Sequence, residues 1–115
     1  MKCAREISPE RLHEQMAAGA APVVLDVRSK REYDAGHVPG AVHVPFWQIG
    51  RHWHELAPRR EGPLVLYCGH GPRAYLAGAS LSRRGCTAIA YLAGHMKRWK
   101  ALNLPLEGKS PRADR

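Results

Sequence analysis

Short runs of consecutive apolar residues alternate along this chain with longer stretches of helical spacing. Residues 22–27 (PVVLDV), 41–45 (AVHVP), 62–68 (GPLVLYC) and 86–92 (CTAIAYL) are rich in β-branched and apolar side chains and are bounded by Gly or Pro. Each predicts a strand. Residues 8–19 begin with Ser8 as N-cap and Pro9 at the first helical position, and stop at Gly19, which predicts a helix. Residues 46–57 (FWQIGRHWHELA) predict one or two short helices broken near Gly50. Residues 72–85 start with Pro72, carry Arg83 and Arg84 in the last turn and end at Gly85, predicting a further helix. Residues 94–103 predict a closing one.

The strand runs are near-continuously apolar rather than alternating. That pattern belongs to a parallel sheet covered on both faces, so the expected class is an open α/β fold. Ligands in such folds sit outside the carboxyl ends of the strands, where loops lead into helices. Asp26 and Arg28 end one strand; Cys68 ends another.

With 115 residues, 44% of them hydrophobic and 24% charged, the composition is that of one ordinary domain. We expect it to span residues 1–108, with residues 109–115 as a flexible tail. No apolar stretch approaches the ~20 residues of a membrane span. The opening MKCAREISPERLHEQM has no apolar leader core, so a cytoplasmic location is expected. The formal net charge is +8. Its basic residues are spread along the chain without interleaved aromatics, so the expectation is a solvated basic surface and no nucleic-acid partner. Such a surface also draws small anions. The three cysteines and seven histidines form no CxxC or HExxH spacing, and neither metal nor other cofactor is expected.

The stretch LYCGHGPRA, residues 66–74, holds the chemistry. Cys68 closes an apolar run, Gly69-His70-Gly71 form a loop, and a helix begins near Pro72. A helix N-terminus offers unpaired N–H groups and partial positive charge. Two glycines let successive N–H groups turn inward as an anion nest, and such a cradle favours a thiolate. The residues alone leave two readings standing: an activated nucleophile, or a small hydrophobe packed at a strand end.

Three motifs, in order, resemble the rhodanese-like family. They are Leu25-Asp26-Val27-Arg28 with Glu32-Tyr33 and Gly36-His37-Val38-Pro39-Gly40-Ala41; then VLYCGHGPRA; then YLAGHMKRWKALNLPLEG. The resemblance covers nearly the whole chain. It implies a five-stranded parallel sheet with helices on both faces, the fifth strand falling around Cys3 to Ile7. It also implies that Cys68 takes up a sulfane sulfur as a persulfide and passes it on. Family members with one more residue between cysteine and arginine enclose a tetrahedral oxyanion, as phosphatases and arsenate reductases do. The shorter spacing of Cys68 to Arg73 is associated with sulfur transfer.

On this basis Cys68 is the expected catalytic residue. Gly69, His70, Gly71, Pro72, Arg73 and Arg28 are the expected substrate-binding residues, with Asp26 in support. His70 resembles the polar residue that meets the sulfonate end of thiosulfate in single-domain sulfurtransferases. Arg73 is expected to pin the loop more than to touch substrate. His37 is expected to be a hydrogen-bonded turn residue, and Trp99 to anchor the last helix. His43, His52 and His54 are expected to pack or face solvent, and Cys3 and Cys86 to be inert.

Three residues depart from the family pattern. Glu32 stands where two-domain enzymes carry a substrate arginine. His95 replaces the second glycine of a Gly-Gly pair, a change expected to alter a turn and no chemistry. Asn103 replaces a turn glycine, and asparagine tolerates the left-handed conformation that turn needs.

The expected activity is transfer of sulfur from thiosulfate or a similar donor, through Cys68, to cyanide or a thiol. The alternative is a carrier that receives its persulfide from a protein partner. A phosphatase or arsenate reductase is disfavoured by the short loop.

Overall fold

The computed structural model describes residues 5–51, 64–85 and 88–108. A five-stranded sheet forms the middle layer. Its strands are β1 (Arg5–Ile7), β2 (Val24–Asp26), β3 (Val42–His43), β4 (Leu64–Tyr67) and β5 (Ile89–Leu92). They pair in parallel throughout, in the spatial order β1-β5-β4-β2-β3. The helices are α1 (Pro9–Ala17), α2 (Lys30–Ala35), α3 (Pro72–Arg83) and α4 (His95–Ala101), with a 3-10 turn at Phe46–Gln48.

The central strand β4 explains why the apolar runs do not alternate. Leu64 and Leu66 face a cluster that includes Leu25, Ala77 and Leu81. Val65 and Tyr67 face the opposite cluster, with Leu12, Met96 and Trp99. Successive side chains point to opposite faces of a strand, and here both faces are buried. Thus α3 covers one side of the sheet while α1 and α4 cover the other.

The α1 boundaries follow the expected chemistry. Ser8 Oγ accepts the Arg11 N–H at 3.1 Å, Pro9 opens the helix, and Gly19 takes a positive φ of 73° just past its end. The expected fifth strand is β1, which pairs with β5 at the register Arg5 to Ala90. Trp99 is fully buried and donates its indole N–H to the Pro105 carbonyl at 2.8 Å. Asn103 takes the left-handed conformation at φ 58°.

Val27, Ala41, Val44 and Cys68 belong to the apolar runs but lie just outside the strands, where they are still buried. One helix, α2, was not anticipated: its residues lie inside the family-like motif and have no apolar stripe. Its formation rests on a capping box, in which Ser29 Oγ accepts the Glu32 N–H and the Glu32 carboxylate accepts the Ser29 N–H. Cys3, Cys86, residues 52–57 with His52 and His54, and the 109–115 tail lie outside the described residues.

Truncating the buried indole leaves a cavity where α4 meets the sheet. Trp99→Ala is expected to lower unfolding free energy by about 3–5 kcal/mol. Urea unfolding followed by far-UV circular dichroism measures it.

Candidate active site

The parallel sheet places the carboxyl ends of β2, β4 and β5 side by side, and the loops leaving these three strands build the site. Cys68 follows β4 and is fully buried. The Gly71 N–H donates to Cys68 Sγ at 3.0 Å. Gly71 holds φ 137° and ψ −54°, a conformation closed to side-chain-bearing residues, and a Cβ there would also meet the Tyr75 ring at 3.2 Å. Pro72 then starts α3. The sulfur therefore sits at the N-terminus of a twelve-residue helix with a main-chain N–H on it.

α4 grips the other side of the loop. Its Met96 and Lys97 N–H groups donate to the carbonyls of Cys68 and Gly69, both at 3.0 Å. The Cys68 N–H donates to His95 Nδ1 at 3.2 Å. Outside the loop lies an open cavity of about 610 Å³ lined by Arg28, Glu32, Gly69, His70, Met96, Lys97 and Lys100. His70 is exposed.

Arg73 makes a two-pronged ion pair with Glu32 on α2, at 2.6 and 3.1 Å. Hydrogen bonding from Arg73 holds the Glu32 carboxyl down at about 2, well below its ordinary 4.5, with the Ser29 contacts adding to the effect. Thus Glu32, which stands at the position of a family substrate arginine, anchors the loop's own arginine to α2.

Arg28 lines the open cavity yet is almost wholly buried, and its Nε and Nη2 are committed to Asp26 Oδ1 and Oδ2 at 2.7 to 3.1 Å. Nη2 also donates to the Gly36 carbonyl at 2.7 Å. Burial opposes the Arg28 charge, but Asp26 more than offsets it, so the guanidinium stays protonated. Asp26, fully buried, accepts a further hydrogen bond from the Tyr67 hydroxyl at 2.7 Å. Burial and the neighbouring Asp26 charge push the Tyr67 phenol far above its usual range, so it remains a donor. Arg28 and Asp26 together brace the site from beneath.

His37 is a turn residue, as expected. Its Nδ1 bonds the Tyr33 carbonyl at 2.8 Å and its ring stacks on Tyr33. His43 stacks on the same ring and reaches the Arg28 carbonyl through Nε2 at 2.7 Å. Sequence reasoning missed His95 and the lysines of α4 as parts of the site. The available signal was positional: a residue just after β5, whose strand neighbours the one that ends at Cys68.

Two outcomes test this frame. Asp26→Asn removes the charge that pairs with buried Arg28 and is expected to destabilise the protein by about 3–5 kcal/mol in urea unfolding. A loss under 1 kcal/mol would show the brace to be dispensable. Glu32 has a depressed carboxyl, so its stabilisation is present in full above pH 4.5 and is lost as the pH falls toward 2. The pair is part-exposed, so Glu32→Gln is expected to cost only about 0.5–1 kcal/mol at pH 7. That gap should close in unfolding titrations carried down from pH 4.5.

Comparison with known proteins agrees with this geometry. Residues 8–102 match the rhodanese-like domain model. The protein YqhL of Bacillus subtilis is 36% identical over 66% of this chain, which spans 59% of YqhL. The putative sulfur carrier protein YrkF of the same organism is 28% identical over 82% of the chain, which spans half of YrkF. The thiosulfate sulfurtransferase GlpE of Pseudomonas fluorescens is 31% identical, with 84% of each chain covered. A rhodanese-related protein from Thermoplasma volcanium superposes with a TM-score of 0.75 at 26% identity, covering 90% of this chain and 97% of that one. The motifs around Asp26 and Cys68, the five-stranded parallel sheet and the family match over residues 8–102 lead to one assignment: this chain belongs to the rhodanese-like domain family.

Proposed function

We propose that this protein is a sulfurtransferase that carries a sulfane sulfur on Cys68. The observation that carries the reading is the Gly71 N–H directed at Cys68 Sγ at the start of α3. A main-chain donor and a helix N-terminus stabilise negative charge on sulfur, in the thiolate and equally in the terminal sulfur of a persulfide. The Arg73 guanidinium adds to that field, since the Cys68 sulfur contributes to holding its charge.

In the first half-reaction the Cys68 thiolate attacks the outer sulfur of thiosulfate. A Cys68 S–S bond forms, the S–S bond of thiosulfate breaks, and sulfite leaves with the electron pair. In the second, a thiolate or cyanide takes the terminal sulfur and the Cys68 thiolate returns. Cys68 is fully covered and His70, two residues on, is exposed, so the donor approaches from the His70 side of the loop. Lys97 and Lys100, which line the cavity together with His70, present positive groups to an anionic donor. Arg28 and Asp26 act by holding the strand ends, and Arg73 by holding the loop.

A carrier that receives its persulfide from another protein is the second reading, favoured by the similarity to YrkF. Both readings load Cys68 and differ in turnover. Incubation with thiosulfate is expected to add one sulfur to the intact mass, and Cys68→Ser is expected to abolish the gain. Absence of any gain in the unaltered protein counts against thiosulfate as donor. Steady-state thiosulfate:cyanide turnover above the buffer rate supports the enzyme; loading without turnover supports the carrier.

A further inference from the structure

His95 carries two costs that the usual glycine at its position would not. It adopts a positive φ of 54°, which strains any residue with a Cβ. It is also buried, with 3% of its surface exposed, and among the described residues its Nε2 has no hydrogen-bond partner. A buried donor left without a partner destabilises a fold. Strain and an unmet polar group in one residue beside the reactive thiol call for a compensating role.

The contacts supply one. His95 Nδ1 accepts the Cys68 N–H at 3.2 Å, and the next residue, Met96, donates its own N–H to the Cys68 carbonyl at 3.0 Å. One dipeptide thus holds both polar main-chain groups of the nucleophile. Lys97 extends the grip to the Gly69 carbonyl. With a glycine at position 95, the Cys68 N–H would have no side chain to accept it. The Nε2 edge lies against the loop as well, 3.7 Å from where a Cβ on Gly71 would stand, and the Tyr75 ring packs edge-on to the imidazole.

We propose that His95 is a positioning residue for Cys68: its neutral imidazole accepts the Cys68 amide at Nδ1 and fixes the sulfur under the Gly71 N–H. An acceptor Nδ1 requires the ring proton on Nε2. Burial favours that neutral form and lowers the imidazole from its ordinary value, with Glu6 on β1 opposing and His70 in the loop assisting. Held in this way, Cys68 has its amide turned to His95, and the donor on its sulfur comes from Gly71. The reaction that this speeds is the sulfur transfer proposed above, and to that extent the inference rests on that reading. The placement of the thiol does not.

The test therefore has two readouts. Alkylation of Cys68 by iodoacetamide, followed at the Cys68 peptide by mass spectrometry, reports thiol placement and reactivity with no sulfur chemistry. The rate of sulfur uptake from thiosulfate reports the proposed function. His95→Gly relieves the backbone strain but removes the acceptor. Both rates are expected to fall about tenfold, the scale of one lost hydrogen bond, in a variant whose melting curve shows that it is folded. His95→Asn keeps an acceptor near the Nδ1 position and tolerates positive φ. Both rates should return to within about twofold of the unaltered protein.

Unaltered rates in a folded His95→Gly protein would overturn the proposal, and so would an Asn variant as slow as the Gly one. If His95→Gly fails to fold, His95→Gln takes its place, because its amide reaches beyond the Nδ1 position. Slow Gln with fast Asn supports the proposal, and equal rates overturn it. If the unaltered protein takes up no sulfur from thiosulfate, thiosulfate falls as its donor, and the alkylation rates alone still decide the role of His95.

Discussion

The buried carboxylate of Asp26 is the constraint on which the site depends. A fully buried charge must be met by donors or expelled. Asp26 is met by the Arg28 backbone N–H, the Arg28 guanidinium and the Tyr67 hydroxyl. Tyr67 in turn accepts the Val38 N–H at 3.0 Å, and Arg28 reaches the Gly36 carbonyl. The ends of β2 and β4 are thereby locked to each other and to the turn after α2. Once α2 is placed, its capping residue Glu32 stands where Arg73 can reach it, and the Arg73 pair fixes one side of the Cys68 loop. A chain of satisfied polar groups runs from the sheet interior to the Cys68 loop.

The opposite side of the loop is held by different means. There β5 ends next to β4, and the first residues of α4 supply two N–H groups and an imidazole to Cys68 and Gly69. Most of these bonds are main-chain to main-chain and carry no sequence label. The loop is thus suspended between a side-chain network on the β2 side and a largely backbone grip on the β5 side. Between them, Gly71 delivers the donor to sulfur. His70 is exposed and lines the cavity outside the loop.

That difference explains which parts of the site could be read in advance. Asp26, Arg28, Cys68, the two loop glycines and Arg73 stand in recognisable local order, because each acts near its own strand end. Even so, Arg28 looks the same in sequence whether its guanidinium faces a substrate or a buried carboxylate. Burial separates the two cases, and burial is a property of the packed molecule. Glu32 reads as a lost substrate contact until α2 places its carboxylate against Arg73. His95 reads as a turn substitution until β5 is seen beside β4. Likewise α2 lacks an apolar stripe, so periodicity misses it, although Ser29 and Glu32 hold its capping box in plain sequence.

Local chemistry by itself determined the strand runs, the caps of α1 and α3, and a cysteine ahead of a glycine loop and a helix N-terminus. These depend on neighbours within a few residues, where spacing and side-chain type are sufficient. Tertiary structure alone decided that Arg28 is buried against Asp26, that Glu32 anchors Arg73, and that His95 takes the Cys68 amide. Each of those outcomes joins residues from separate strands or helices, at distances in sequence over which pattern carries no geometry. The strand order β5-β4-β2 brings them together, and through it an arginine, a glutamate and a histidine acquire their roles.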